Sequence, residues 1–137
     1  MAHSEVRRVY LAFEFEKDVQ RRATFISQAK RHCAYQLDDL SLPAARHPAG
    51  WRLEARARIT AAHVVIVLLG QDTYNAPGVR DELSLAGQAR RPVVQLMPHR
   101  QNYGRASSGA PLCPYRWRVI NRMLSDPEAF VRTVGQT

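Results

Sequence analysis

A chain of 137 residues, 45% of them hydrophobic, is long enough for one domain with a real core and too apolar for a disordered tail. Its formal charge is +8, from 20 basic and 12 acidic residues, which leaves room for an anionic nucleotide or nucleic acid as partner. No segment approaches the roughly 20 apolar residues of a membrane span, so no membrane partner is expected.

Two cysteines, Cys33 and Cys113, form neither a disulfide framework nor a metal motif, and the five histidines have no ligand spacing, so no metal is expected. The N-terminal MAHSEVRR has no apolar stretch of the signal-peptide kind, and a cytoplasmic location is expected. Apart from Lys17 and Lys30, all the basic residues are arginine. They are scattered, with pairs at Arg7-Arg8, Arg21-Arg22 and Arg90-Arg91 but no longer run. That pattern reads mainly as solvated faces, with a share left for attracting a phosphate-bearing ligand. It does not suggest sequence-specific nucleic-acid binding.

Residues 9–13 (VYLAF) form the first apolar run and predict strand one. The loop 14–18 (EFEKD) follows, with Asp18 as the expected N-cap of a helix over about 18–33. Val19, Ala23, Ile26, Ala29 and Cys33 recur there at helical spacing. Residues 34–37 predict a second strand, with a loop starting at Asp38-Asp39. Pro43 and Pro48 keep the next stretch irregular as far as Gly50. Trp51, Ala55, Ile59 and Ala62 share one helical face, which predicts helix two over about 50–61, with Arg52 and Arg56 off that face.

Residues 63–69 (HVVIVLL) are the strongest signal in the chain. A short continuous β-branched and aliphatic run ending on Gly70 suits a central parallel strand buried on both faces. A polar loop, Gln71 to Asn75, leads through Ala76-Pro77-Gly78 into helix three over about 77–90. Val79, Leu83, Ala86 and Arg90 fall on one face of it, and Glu82 borders that face. Strand four is expected at 92–97, a long loop at 98–114, a helix at about 115–125 and a last turn or two at 127–134.

The order β-α-β-α-β-α-β-α predicts a flavodoxin-like three-layer αβα fold, a single domain over 1–137 with a four- to five-stranded parallel sheet. With strand order 2-1-3-4, the loops 14–18 and 70–78 meet at the switch point between strands one and three, where ligands bind in open α/β sheets. The chain has no G-x-G-x-x-G after strand one, no P-loop and no G-x-S-x-G elbow. Phe13, Phe15 and Tyr74 could supply an aromatic wall at that edge, and Asp18, Gln71 and Asp72 polar contacts. Phe13 and Phe15 suit a core or an exposed stacking position equally, and Asp18 is an N-cap first. Periodicity alone reads Glu82 as a helix-start acid favoured by the helix dipole.

A resemblance covers about residues 7–125. Ile59, then residues 62–70 (AHVVIVLLG), Asp72-Thr73, Val79, Glu82 and Leu83 resemble the TIR-like family, closest to the TIR-like proteins of bacterial Thoeris anti-phage systems. Residues 9–18 are similar to that family's first strand and the aromatic-acidic loop after it. Pro92-Val93-Val94 and Tyr115-Arg116-Trp117 resemble its fourth strand and a Trp-containing C-terminal segment.

The resemblance implies NAD glycohydrolase or ADP-ribosyl cyclase-type activity, with Glu82 matching the family's catalytic glutamate. NAD is then the substrate and no cofactor is implied. The product would be a cyclic ADP-ribose isomer or an ADP-ribose conjugate, a diffusible nucleotide signal to a downstream effector, and self-assembly is compatible with it. Family members often carry tryptophans ahead of this glutamate, where this chain has Gly78 and Asp81. The alternatives are a catalytically silent TIR-like protein-interaction module, a basic nucleic-acid binder, and a nucleoside deoxyribosyltransferase, which also uses a glutamate on a flavodoxin-like fold.

Overall fold

The computed structural model describes residues 5–42 and 50–135. Its elements in chain order are β1 (Val6–Ala12), α1 (Phe15–His32), β2 (Gln36–Asp39), α2 (Trp51–Ala61), β3 (Val64–Leu68), a single 3₁₀ turn (Thr73–Asn75), α3 (Pro77–Gln88), β4 (Val93–Met97), β5 (Leu112–Pro114), α4 (Trp117–Ser125) and α5 (Pro127–Gly135). The five strands form one sheet in the order β2-β1-β3-β4-β5, and every neighbouring pair is parallel. This is the expected flavodoxin-like α/β architecture, with five strands. The irregular stretch expected from Pro43 onward lies outside the described residues as far as position 49. No described helix is long and apolar enough to cross a membrane.

All five residues of β3 are buried, because β3 lies inside the sheet and both its faces are covered. Val9, Leu11 and Phe13 point to one face and join Phe25 of α1 with Ile120 and Met123 of α4. Tyr10 and Ala12 point to the other and join Ile59 of α2 with Val79 and Ala86 of α3. The two-residue period of β1 thus feeds two separate apolar layers.

The same alternation acts on Arg7 and Arg8. Arg7 donates from Nε to the Leu124 carbonyl at the end of α4, 2.7 Å away. Arg8 donates from Nε to the Ala61 carbonyl at the end of α2, also at 2.7 Å. A cation at a helix C-terminus satisfies an orphan carbonyl and opposes the helix dipole. These two arginines are therefore structural caps on opposite faces of the sheet, not merely a solvated pair. The strand β1 begins at Val6, ahead of the apolar run, where its ladder with β2 starts.

Three expectations are corrected. Helix α1 starts at Phe15, and its N-cap is Glu14, whose Oε1 accepts from the Lys17 N–H at 3.0 Å. Asp18 sits one turn inside, and the inner face runs through Asp18, Phe25 and Ala29, leaving Val19 exposed. Glu is not a favoured N-cap, and the alternating Phe-Glu-Phe-Glu hid the helix start. Second, β2 covers the Asp38-Asp39 pair expected to open a loop; the Arg22–Asp39 ion pair anchors its end. Third, the expected 98–114 loop contains β5, three residues that follow Pro111 and end on Pro114, too few to show a period. On the sheet edge, Pro114 leaves no ladder partner unmet.

Candidate functional site

The loops 14–18 and 70–78 do meet at the carboxyl edge of the sheet. Lys17 Nζ lies 2.6 Å from Asp72 Oδ2. Asp18 is 6% exposed, and its carboxylate accepts from Arg21 Nε at 3.1 Å and from the Thr73 hydroxyl at 3.4 Å. Thr73 Oγ1 in turn accepts from the Gly70 N–H at 2.7 Å. Gly70 is required here: a Cβ would lie 2.5 Å from both Asp18 carboxylate oxygens. The switch-point crevice is thus filled by Asp18 against Gly70.

A cleft of about 450 Å³ opens on the α2–α3 side of this contact. Phe13 and Phe15, Trp51 and Arg52, and Gly78 and Val79 line it. The Phe13 and Phe15 rings stack with centroids 5.8 Å apart at 22°; of the two positions open to Phe13 it takes the core one, at 1% exposure, and only Phe15 keeps a partly exposed ring at the cleft. The Arg52 guanidinium lies over the Trp51 ring at 5.4 Å and binds Asp81 at 2.8 Å.

Trp51 and Arg52 were not foreseen as site residues. Trp51 fits the core face of helix two by spacing, and only its place after the β2 loop, at the ligand edge, could have singled it out. Tyr74 turns the other way. It is 50% exposed and packs against Gly104, where a Cβ would come within 3.2 Å of its ring. Gln71 is exposed, and neither it nor Asp18, Asp72 or Tyr74 lines the cleft.

Glu82 occupies the second turn of α3 and is wholly buried, with Val79 and Ala86 on the same face. The Tyr10 hydroxyl on β1 donates to its Oε2, and Tyr10 is buried too. The expectation that Glu82 only borders the apolar face of helix three is corrected: positions 79, 82 and 86 form the inward face, and Glu82 is in it, with its carboxylate buried. Glu82 does not line the cleft, although Val79, one turn before it, and Asp81, beside it, do. A carboxylate withdrawn from water needs hydrogen-bond partners, and Tyr10 supplies one. Among the described residues no group of three His, Cys, Asp or Glu could hold a metal ion.

A five-stranded parallel αβα sheet with a carboxylate buried beside a cleft at its ligand edge makes this a flavodoxin-like α/β domain, the architecture of TIR-like proteins. Residues 10–103 match the family described as Thoeris protein ThsB, TIR-like domain, and the chain belongs to that family. Among solved structures the fold is similar to the Clostridium botulinum CMP N-glycosidase BcmB, at 18% identity and a TM-score of 0.53, covering 87% of this chain and 98% of that one. A comparison with curated proteins finds no match.

Proposed function

We propose that the chain cleaves the nicotinamide–ribose bond of NAD in the aromatic cleft. In this reading the ADP-ribosyl product is a diffusible signal to a downstream effector in bacterial anti-phage defence. Membership of the ThsB TIR-like family supports it, as does the fold shared with a protein whose description is a nucleotide N-glycosidase. The observation that carries it is the position of Glu82, a carboxylate held out of water in the second turn of α3, next to cleft-lining Asp81.

When the C1′–N bond breaks, its electron pair leaves with nicotinamide, whose ring nitrogen becomes neutral. Positive charge then spreads over C1′ and the ribose ring oxygen. A carboxylate in a water-excluded site opposes that charge more strongly than one in water. The leaving group needs no proton, so one carboxylate does what an O-glycosidase divides between two. Tyr10 fixes the Glu82 carboxylate, and Phe15, backed by the buried Phe13 ring stacked on it, offers an apolar edge to the nicotinamide ring. Capture of C1′ by water gives ADP-ribose. Capture by a nitrogen of the same molecule's adenine gives a cyclic isomer, and capture by another acceptor gives a conjugate. Because Glu82 has no exposed surface, this reading requires α3 and the sheet to part locally for substrate to reach it. Self-assembly in the cytoplasm belongs to the same proposal; NAD is substrate, and no resident cofactor or metal is invoked.

The full burial of Glu82 also favours a second reading, a catalytically silent TIR-like interaction module in which the Tyr10–Glu82 bond only holds α3 against β1. Mass spectrometry of small molecules from phage-infected cells expressing the chain separates the two. Loss of NAD with new nicotinamide and ADP-ribose-derived species supports cleavage. An unchanged NAD pool with no such species supports the silent module.

A further inference from the structure

A second cavity, of about 380 Å³, opens on the opposite face of the sheet. It lies beyond the carboxyl ends of β3 and β4, where open α/β sheets take ligands, and its volume is at the small end of ligand pockets. It shares no lining residue with the aromatic cleft. Leu68, Leu69, Leu96 and Pro98 give it an apolar floor. Gln20, Thr24 and Gln28 of α1, spaced four apart and so stacked along one face, form a neutral polar wall.

The wall has a fixed polarity. The Tyr115 hydroxyl donates to Gln28 Oε1 at 2.6 Å. Burial pushes the Tyr115 pKa up, so the phenol stays a donor at neutral pH. With its oxygen taken, Gln28 presents its NH₂ group as a donor. Arg21 also lines the cavity, with Nε held by Asp18 and Nη2 by the Tyr103 hydroxyl. No carboxylate is among the described lining residues, and beside Arg21 and Tyr115 the lining holds His99. An apolar floor, the Gln28 amide donor, an arginine whose charge is already paired with Asp18, and no lining acid select an uncharged, acceptor-bearing molecule with an apolar face over an ion. The volume fits a ring with little attached, not a dinucleotide.

We propose that this cavity is a second ligand site, for a neutral planar nitrogen heterocycle bearing hydrogen-bond acceptors, its ring face on Leu68, Leu96 and Pro98 and its edge on Gln20 and Gln28. The assignment rests on this cavity's own geometry and does not depend on NAD cleavage. Such a ring can come from a nucleoside base or from a free pyridine carboxamide.

The chain carries its own reporter. It has two tryptophans: Trp51 lines the aromatic cleft, and Trp117 packs edge-on to Tyr115 with centroids 6.3 Å apart. In Trp51→Phe, fluorescence therefore reports from the second cavity's side alone. Adenosine and nicotinamide are titrated separately to about 10 mM, beyond the weak end of specific binding. The expected result is a saturable change in Trp117 emission with at least one of them. Thr24→Phe, at an exposed position, fills the cavity and should weaken that binding roughly tenfold or more while the melting curve stays that of the parent. Should Thr24→Phe fail to fold, Gln28→Leu takes its place by removing the donor. Saturation by adenosine alone assigns the base of a nucleoside, and saturation by nicotinamide alone assigns the free carboxamide. No saturable change with either, or one that Thr24→Phe and Gln28→Leu leave unaltered, overturns the site and leaves a groove that holds only water.

Discussion

The Tyr10 hydroxyl in the middle of β1 donates a hydrogen bond to Glu82 in the second turn of α3, and neither residue exposes any surface. This bond crosses the apolar layer between sheet and helix and fixes the rotation of α3 on the sheet. Tyr10→Phe keeps the ring and removes the donor, leaving the buried carboxylate short of one partner. Such a loss costs about 1–3 kcal/mol, so chemical denaturation should show a loss of that size with an unchanged denaturant slope. A loss under about 0.5 kcal/mol, within the range of a neutral surface change, would mean that the bond contributes nothing to holding α3.

Gly70 and Asp18 make the closest approach at the switch point, and that approach tolerates no side chain at position 70. Overpacking of this kind typically costs about 1–3 kcal/mol, and Gly70→Ala is expected to fall in that range. The cost should shrink in the double variant with Asp18→Gly, because the clashing carboxylate is gone. Additive effects of the two substitutions in a double-mutant cycle would contradict the contact.

Gln95 is wholly buried on β4 and uses both ends of its amide. Its Oε1 accepts from the Ala106 and Ser107 N–H groups at 2.7 and 3.1 Å. Its Nε2 donates to the Ser107 and Ala110 carbonyls at 2.8 and 2.7 Å. One side chain thus pins the loop that carries Tyr103 and Gly104 over Arg21 and Tyr74. Gln95→Leu fits the space but strands four backbone groups, and a loss of roughly 2–4 kcal/mol is expected, with new proteolytic cutting within 98–111. An uncut loop at parental stability would show that the latch is idle.

His63 couples stability to pH. Its pKa is lowered from 6.5, first by burial and then by Arg8, Arg7 and Arg91, and its Nδ1 accepts from the Arg8 N–H at 2.9 Å. The neutral ring is the one that fits. Above pH 6.5 both folded and unfolded chains hold it neutral, and the full contribution is present. Below that, the unfolded chain takes up a proton first, and stability falls as pH drops toward the lower folded value. Melting temperatures measured from pH 7.5 down to 5.5 should fall for the parent and fall less steeply for His63→Gln. Parallel slopes would remove His63 from the account.

The parallel sheet was legible because its signal is local. The 63–69 run announces a strand buried on both faces, and β3 is that strand; the meeting of loops 14–18 and 70–78 follows from strand order alone and is found in the Lys17–Asp72 pair. What stayed hidden depends on distant partners. The inward turn of Glu82 requires Tyr10, 72 positions earlier. The role of Gln95 requires a loop 11 to 15 positions later to fold back on β4. The caps made by Arg7 and Arg8 depend on where α4 and α2 end, so composition showed them only as charge. Trp51 and Arg52 join the cleft through the placement of α2 against α3, which spacing along one helix does not contain.

The most direct test of the central claim is nicotinamide release by Glu82→Gln beside the parent, in phage-infected cells and with purified protein, with a melting curve for each. Gln keeps the size and can still accept from Tyr10, so the fold should survive while the charge is lost. If the buried carboxylate stabilises the developing ribose cation, removing it costs roughly 3 kcal/mol or more, about a hundredfold in rate. The account predicts that loss with a melting transition close to the parent's. Equal nicotinamide release by parent and variant, or none from the parent in infected cells, would contradict it and leave Glu82 as the structural partner of Tyr10.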